Sequence, residues 1–290
     1  MDAGERMSCK AQPMVSSPRA ASPLAQLFNY HLFAHGRLFY RYFGSEACRF
    51  SPQAAYRLLS HLAAENARPT TLWDPFCGTG FILSVAGYFF PQSFPVLLGS
   101  DVQHEAVQCT ARNLALFTDR AAFTARRREL EMNMRPSPGH RLRWRGVTDY
   151  FDRLGAQLDF STPSYRFATF VADAATARRP EQDLTIFADL PYGRSSTLVG
   201  AADYLSCLQP LLKAHPQSRA LFIAPASESV AFCELGLQTG RTLRLRGFKG
   251  GRLGASFAAV GCGQQSCGVA CPPPAHCRDG RQPHPPQDGE

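Results

Sequence analysis

The chain has 290 residues, 44% of them hydrophobic, and 31 basic side chains stand against 23 acidic ones for a net charge of +8. That is enough apolar material for one core domain of roughly 240 residues between polar ends. No run of eighteen apolar residues is present to span a membrane, and residues 1–22 lack the apolar stretch of a secretory signal.

Lys10, Lys213 and Lys249 are the only lysines. A GC-rich genome accounts for much of that arginine bias. The net charge itself fits a polyanionic partner, whose phosphates an arginine fork binds two oxygens at a time. Of ten cysteines, Cys9, Cys48, Cys77, Cys109, Cys207 and Cys233 stand singly. Such scatter is reduced usage rather than a disulfide framework, so a cytoplasmic protein is expected.

Residues 1–23 are expected to be disordered, and residues 24–260 to form the domain. Residues 24–50 interleave rings and charge, among them Phe28, Tyr30, Phe33, Arg37, Phe39, Tyr40, Arg41 and Tyr42. Such a segment either stacks on bases and touches phosphates or packs on the core as an N-terminal helical layer. Ser51-Pro52 then caps a helix with Ala55, Leu58, Leu59 and Leu62 on its buried face. A strand from Thr70 to Trp73 ends at Asp74, and a helix covers Phe81 to Phe90. A second strand, Val96 to Ser100, ends at Asp101. The next helix carries Val107, Ala111, Leu114 and Phe117 on one face.

Residues 118–165 interrupt the alternation with nine arginines: Arg120, Arg126, Arg127, Arg128, Arg135, Arg141, Arg143, Arg145 and Arg153. The segment is too long for a loop and predicts an insertion with its own helix, either binding substrate or simply solvated. Strands at Phe167–Val171, ending near Asp173, and at Leu184–Ala188, ending at Asp189, resume the pattern. A helix over 201–212, a strand over 219–224 and a helix near 227–237 follow. Residues 242–248 and 255–260 then pair as a hairpin across Lys249-Gly250-Gly251-Arg252. Alternating strands and helices predict an α/β fold on a mostly parallel seven-stranded sheet, closed by an antiparallel hairpin. Residues 261–290 lose all periodicity and are expected to be a disordered Cys/Pro-rich tail. Its Cys262, Cys267, Cys271, His276 and Cys277 match no paired CxxC spacing, and no metal site is expected.

Two stretches carry chemistry. In Trp73-Asp74-Pro75-Phe76-Cys77-Gly78-Thr79-Gly80, the glycines let the backbone turn tightly beside a bulky ligand. The helix that follows turns its free N–H groups to the same place. The loop is neither a full G-x-G-x-x-G nor a Walker loop. Asp101 sits at the second strand end, where a carboxylate accepts bonds from ribose hydroxyls. Asp173 suits either an adenine amino group or an ordinary helix cap. In Asp189-Leu190-Pro191-Tyr192-Gly193, proline fixes a turn, and the Tyr192 ring suits stacking on a base drawn out of RNA.

The first loop resembles the cofactor loop of S-adenosylmethionine-dependent methyltransferases, and the second the acceptor loop of those that methylate nucleobases. Together the chain resembles the Rossmann-like, class I RNA guanine methyltransferases, and within them the AviRa-type avilamycin-resistance family. The carrying residues are Trp73 to Gly80, Ser100 to Val102 and Asp189 to Gly193, with a helical insertion in the matching place; the likeness covers roughly residues 45–260. It implies S-adenosyl-L-methionine as cofactor, a guanine of 23S rRNA as acceptor, and protection of ribosomes from an orthosomycin antibiotic. Asp74, Cys77, Gly78, Gly80, Asp101 and Asp173 are the expected cofactor-binding residues. Asp189, Pro191 and Tyr192 are the expected catalytic ones, with Asp189 accepting N–H bonds from the base and aiming its nitrogen at the methyl group.

The nearest rival is a THUMP-associated guanine-N2 methyltransferase. Its loops are similar, but it usually carries an N-terminal RNA-binding domain for which the stretch before Asp74 is short. A DNA adenine methyltransferase would favour Pro-Pro-Tyr where Leu190 stands. A non-catalytic RNA-binding module with a decayed site would not be expected to keep Asp74, Gly78, Gly80, Asp101 and Asp189. A nicotinamide-dependent oxidoreductase would need the third glycine.

Overall fold

Seven strands make one sheet in the computed structural model, which describes residues 38–42, 52–132, 138–177, 184–190, 204–216, 218–225, 238–246 and 252–259. They are β1 (Thr71–Asp74), β2 (Val96–Asp101), β3 (Arg166–Val171), β4 (Leu184–Asp189), β5 (Arg219–Pro225), β6 (Gln238–Arg246) and β7 (Arg252–Ala259), in the order β3-β2-β1-β4-β5-β7-β6. β1 to β5 pair in parallel. β7 runs antiparallel to β5, and β6 antiparallel to β7. The helices are α1 (Pro52–Glu65), α2 (Phe81–Phe89), α3 (His104–Ala115), α4 (Arg120–Met132), α5 (Pro138–Gln157) and α6 (Tyr204–Ala214).

The central strands read as short apolar runs because both of their faces are covered. β4 is buried from Leu184 to Ala188, whereas β3, at the sheet edge, is only partly covered. α1 buries Ala55, Leu58, Leu59 and Leu62, the stripe its spacing predicts. Beneath β1, the fully buried Trp73 donates its indole N–H to Ser100 Oγ at 3.0 Å, so β1 and β2 are joined through side chains as well as backbone.

Three expectations change in detail. The insertion holds two helices, α4 and α5, rather than one. The hairpin starts earlier than expected, with Arg246 opposite Arg252. The buried face of α3 is Ala106, Val107, Cys109, Thr110, Asn113 and Leu114, and Ala111 is only half-buried. That face looks partly onto a loop rather than onto apolar side chains, so polar residues occupy it. The expected helix near 227–237, both expected disordered ends, Pro191 and Tyr192 lie outside the described residues.

Ser100→Ala removes little volume but leaves the buried Trp73 N–H unpaired. It should cost about 1–3 kcal/mol of stability in urea unfolding; a variant as stable as the parent would show that this bond does not tie the strands.

Candidate cofactor and acceptor site

The sheet order reverses at β1. From there the chain builds β2 and β3 on one side, then returns to build β4 and β5 on the other. Ligands in open α/β sheets bind in the crevice outside the carboxyl ends at such a point. The last residues of β1, β2 and β4 are Asp74, Asp101 and Asp189, so the topology brings the three expected acids to one edge.

The loop between β1 and α2 turns through two left-handed glycines, Gly78 at φ 52 and Gly80 at φ 71. Gly80 N–H donates to Cys77 O at 2.7 Å, and Ser84 returns its N–H and its hydroxyl to Gly80 O at 2.9 and 2.7 Å. A Cβ on Gly80 would meet Thr110 Cγ2 at 2.8 Å, so only glycine fits. Thr110 answers the loop from α3, its hydroxyl lying 3.1 Å from Gly78 O and 3.3 Å from Cys77 Sγ. One turn on, Asn113 donates to Thr79 O at 2.7 Å.

Asp101 grips the loop from the other side. Its Oδ2 accepts Gly78 N–H at 3.1 Å and its Oδ1 accepts Gln103 N–H at 3.0 Å. Burial raises its carboxyl, and backbone N–H bonds from Gln103, Gly78 and Val102 oppose the rise; a carboxylate has about four acceptor positions, which leaves one for a ligand. Asp74 is 2% exposed and accepts Phe76 N–H at 3.1 Å. Burial pushes its carboxyl well above the usual range; the Phe76 bond opposes this, and the charges of Asp189 and Asp101 add to it. Cys77 belongs to the core behind the loop. Burial raises its thiol, Asp74 adds to the rise, and Thr110 partly offsets it, so the sulfur is a neutral packing group.

Asp173 stands just past β3, with Ala172 N–H bonded to Asp101 O at 3.0 Å. Its Oδ1 accepts Ala175 N–H at 2.9 Å, a capping arrangement. Among the described residues, no three His, Cys, Asp or Glu side chains gather closely enough to hold a metal ion.

Sequence reasoning missed three residues that hold this loop, Ser84, Thr110 and Asn113, and the link from Asn113 to the strap at 38–42. Leu38 and Phe39 are buried, Phe39 edge-on to Phe81 and Phe117 at 6.0 and 6.1 Å. These residues pack on the core, as the packing alternative expected, but as a non-helical strap rather than the expected helical layer. Asn113 Oδ1 accepts Tyr40 N–H at 2.7 Å and its Nδ2 donates to Tyr40 O at 3.2 Å. The available signal was a pair of polar residues, Thr110 and Asn113, three apart on an otherwise apolar helix face. The insertion's arginines also divide. Arg126 is buried, donating to Leu38 O and Phe39 O at 3.2 Å each. Arg127 forks onto Asp152 with two bonds of 3.0 Å.

Gly80→Ala forces a side chain into left-handed backbone, at about 1–2 kcal/mol, and into Thr110. Denaturant unfolding should show at least that loss, and S-adenosylhomocysteine titration a weaker site; a parent-like result in both would remove the close approach from the account.

Comparison with known proteins places this geometry. The family model described as rRNA methyltransferase AviRa matches residues 26–217. A curated relative from Streptomyces viridochromogenes, 23S rRNA (guanine(2535)-N(1))-methyltransferase, is 29% identical over 195 residues, spanning 61% of this chain and 76% of that protein. A solved structure of rRNA methyltransferase AviRa from the same organism superposes with a TM-score of 0.61 at 23% identity, covering 80% of this chain and 93% of that one. A second structure of that enzyme gives 0.60 at 22% identity, with the same coverage. The structural likeness supports the class I methyltransferase fold, and the family match covers both loops and the insertion between them: the chain belongs to the AviRa family of rRNA methyltransferases.

Proposed function

We propose that this protein transfers a methyl group from S-adenosylmethionine to N1 of a guanine in 23S rRNA. The observation that carries the proposal is that Asp74, Asp101 and Asp189 end the neighbouring strands β1, β2 and β4 at one edge of the sheet, beside a loop with no room for a side chain at Gly80. The name of the curated relative supports guanine N1 and 23S rRNA. The family resemblance extends the reading to orthosomycin resistance and a cytoplasmic setting, where ribosomal RNA is found. Among the described residues no helix is long and apolar enough to cross a membrane.

The residues suit the cofactor. Its sulfonium and ammonium are cationic, and the strand ends are acidic; its ribose needs an acceptor, and Asp101 keeps one position beyond its three backbone bonds. When bound, the cofactor supplies a methyl group already activated for transfer, so what remains for the protein is mainly positioning. Gly78 and Gly80 would let the backbone approach it. Asp74 would supply charge, and Asp173 would face the adenine. Asp189 would accept the guanine N1–H, holding that nitrogen in line. Asp189 would take that proton and pass it to water, exposing the N1 lone pair to the methyl group that the bound cofactor would supply. Pro191 and Tyr192 are assigned to the same acceptor loop, the ring to stack on the base.

Two variants separate these roles. Asp189→Ala should reduce methyl transfer by about a hundredfold or more and leave S-adenosylhomocysteine affinity largely intact; lost cofactor binding would move Asp189 out of the acceptor role. Asp101→Ala should weaken that affinity by about tenfold or more, and unchanged affinity would remove Asp101 from the ribose site.

Proton linkage gives an independent check. Asp74 is raised in the free protein, and a cation beside it favours the carboxylate. Binding of cationic S-adenosylmethionine should therefore release a proton, and affinity should rise with pH between the ordinary carboxylate range and the raised value. S-adenosylhomocysteine, with neutral sulfur, should release less. Calorimetry in buffers of different ionisation enthalpy reads the difference; equal release would contradict the placement of Asp74.

A further inference from the structure

Arg126 belongs to the insertion, on α4, yet it is buried. Taking a guanidinium out of water is expensive, and an apolar side chain of similar volume would often serve stability as well. Its carboxylate partner, Glu129 at 3.0 Å, stands partly in solvent. The rest of the fork turns onto main chain. Nε donates to Leu38 O and Nη2 to Phe39 O, each at 3.2 Å, and the group lies 4.3 Å from the centre of the Tyr40 ring. One side chain thus holds three consecutive residues of the strap.

Tyr40 is held in turn by Asn113 of α3. The amide oxygen accepts Tyr40 N–H at 2.7 Å, and the amide nitrogen donates to Tyr40 O at 3.2 Å. Two bonds to one residue fix the plane of that amide. Its nitrogen carries two N–H donors, and it also donates to Thr79 O at 2.7 Å. Thr79 stands between the two left-handed glycines of the cofactor loop. A continuous path of hydrogen bonds and main chain therefore leads from α4, through the strap and α3, to the loop.

We propose that Arg126 and Asn113 are positioning residues for the cofactor loop. Arg126 seats the strap, the strap sets the plane of the Asn113 amide, and that amide holds Thr79 O. The insertion thereby tunes cofactor affinity without supplying a ligand contact. The inference rests on the reading of this loop as the one that binds S-adenosylmethionine.

The test is calorimetric titration with S-adenosylhomocysteine of the full-length parent, Arg126→Lys, Asn113→Ala and the double variant, at a temperature where each is folded. Arg126→Lys keeps the charge and loses the fork. Arg127→Gln, on the same helix but engaged with Asp152, controls for general loosening of the insertion. Each single variant of the path should weaken binding by about three- to tenfold, as expected for one hydrogen bond. The double variant should lose no more than the worse single one, because both break one path. Arg127→Gln should bind like the parent. In methyl transfer, Arg126→Lys should raise KM for S-adenosylmethionine and keep kcat. Coupling is reciprocal, so S-adenosylhomocysteine should also slow hydrogen exchange of the Tyr40 N–H in the parent, which needs no variant. If Arg126→Lys binds like the parent, if Arg127→Gln loses as much, if the two losses add, or if Tyr40 exchange ignores the ligand, the proposal fails while the loop assignment stands. If the parent does not bind S-adenosylhomocysteine, the loop assignment fails and the positioning role with it.

Discussion

The loop from Cys77 to Gly80 approaches α3 so closely that even a methyl group at residue 80 would lie 2.8 Å from the Thr110 side chain. The rest of the site depends on that approach. It turns loop carbonyls toward α3, where burial without partners would cost about 1–3 kcal/mol each. Thr110 meets Gly78 O, and Asn113 meets Thr79 O. Asp101 takes the Gly78 N–H from the other side. The loop is thus held between a helix and a strand end before any ligand arrives, as electrostatic and positional catalysis require.

The same arrangement concentrates negative charge. Asp74 is almost fully buried, and its carboxyl rises mainly because water is excluded, with Asp189 and Asp101 adding repulsion. A structure selected for stability alone would not collect three carboxylates at one sheet edge. Perturbed acids of this kind mark functional sites, where a bound cation relieves the strain. Asparagine 113 extends this organisation outward. Its amide is shared between the loop and the strap, and Arg126 carries the connection into the insertion. Both polar groups are buried and hydrogen-bonded, which is how interiors tolerate them.

Much of the site was legible in the sequence. β1, β2 and β4 stood out because strands covered on both faces are short apolar runs, and each ended in an aspartate. The glycines stood out because no other residue accepts their backbone angles or the contact at Gly80. α3 was misread in part, because hydrophobic periodicity credits only apolar residues, while Thr110 and Asn113 face a loop that needs hydrogen bonds. The arginine-rich insertion left substrate binding and a solvated charged helix both open. Arg126 instead donates to main-chain carbonyls inside the protein, and Arg127 is committed to Asp152. Among the rings of 24–50, Phe39 is core and Tyr40 lies against two guanidiniums, so composition alone could not separate packing from recognition. Asp173 caps a turn, in keeping with the bland half of its two readings.

The most direct measurement is transfer of tritiated methyl from S-adenosylmethionine to unmodified 23S rRNA, 16S rRNA and tRNA, followed by nucleoside mass spectrometry of the labelled product. The account predicts label in 1-methylguanosine from 23S rRNA alone. Label in N2-methylguanosine from tRNA would contradict it in favour of the rival guanine-N2 chemistry. Intact cofactor binding with no label in any of these RNAs would contradict free 23S rRNA as a sufficient acceptor.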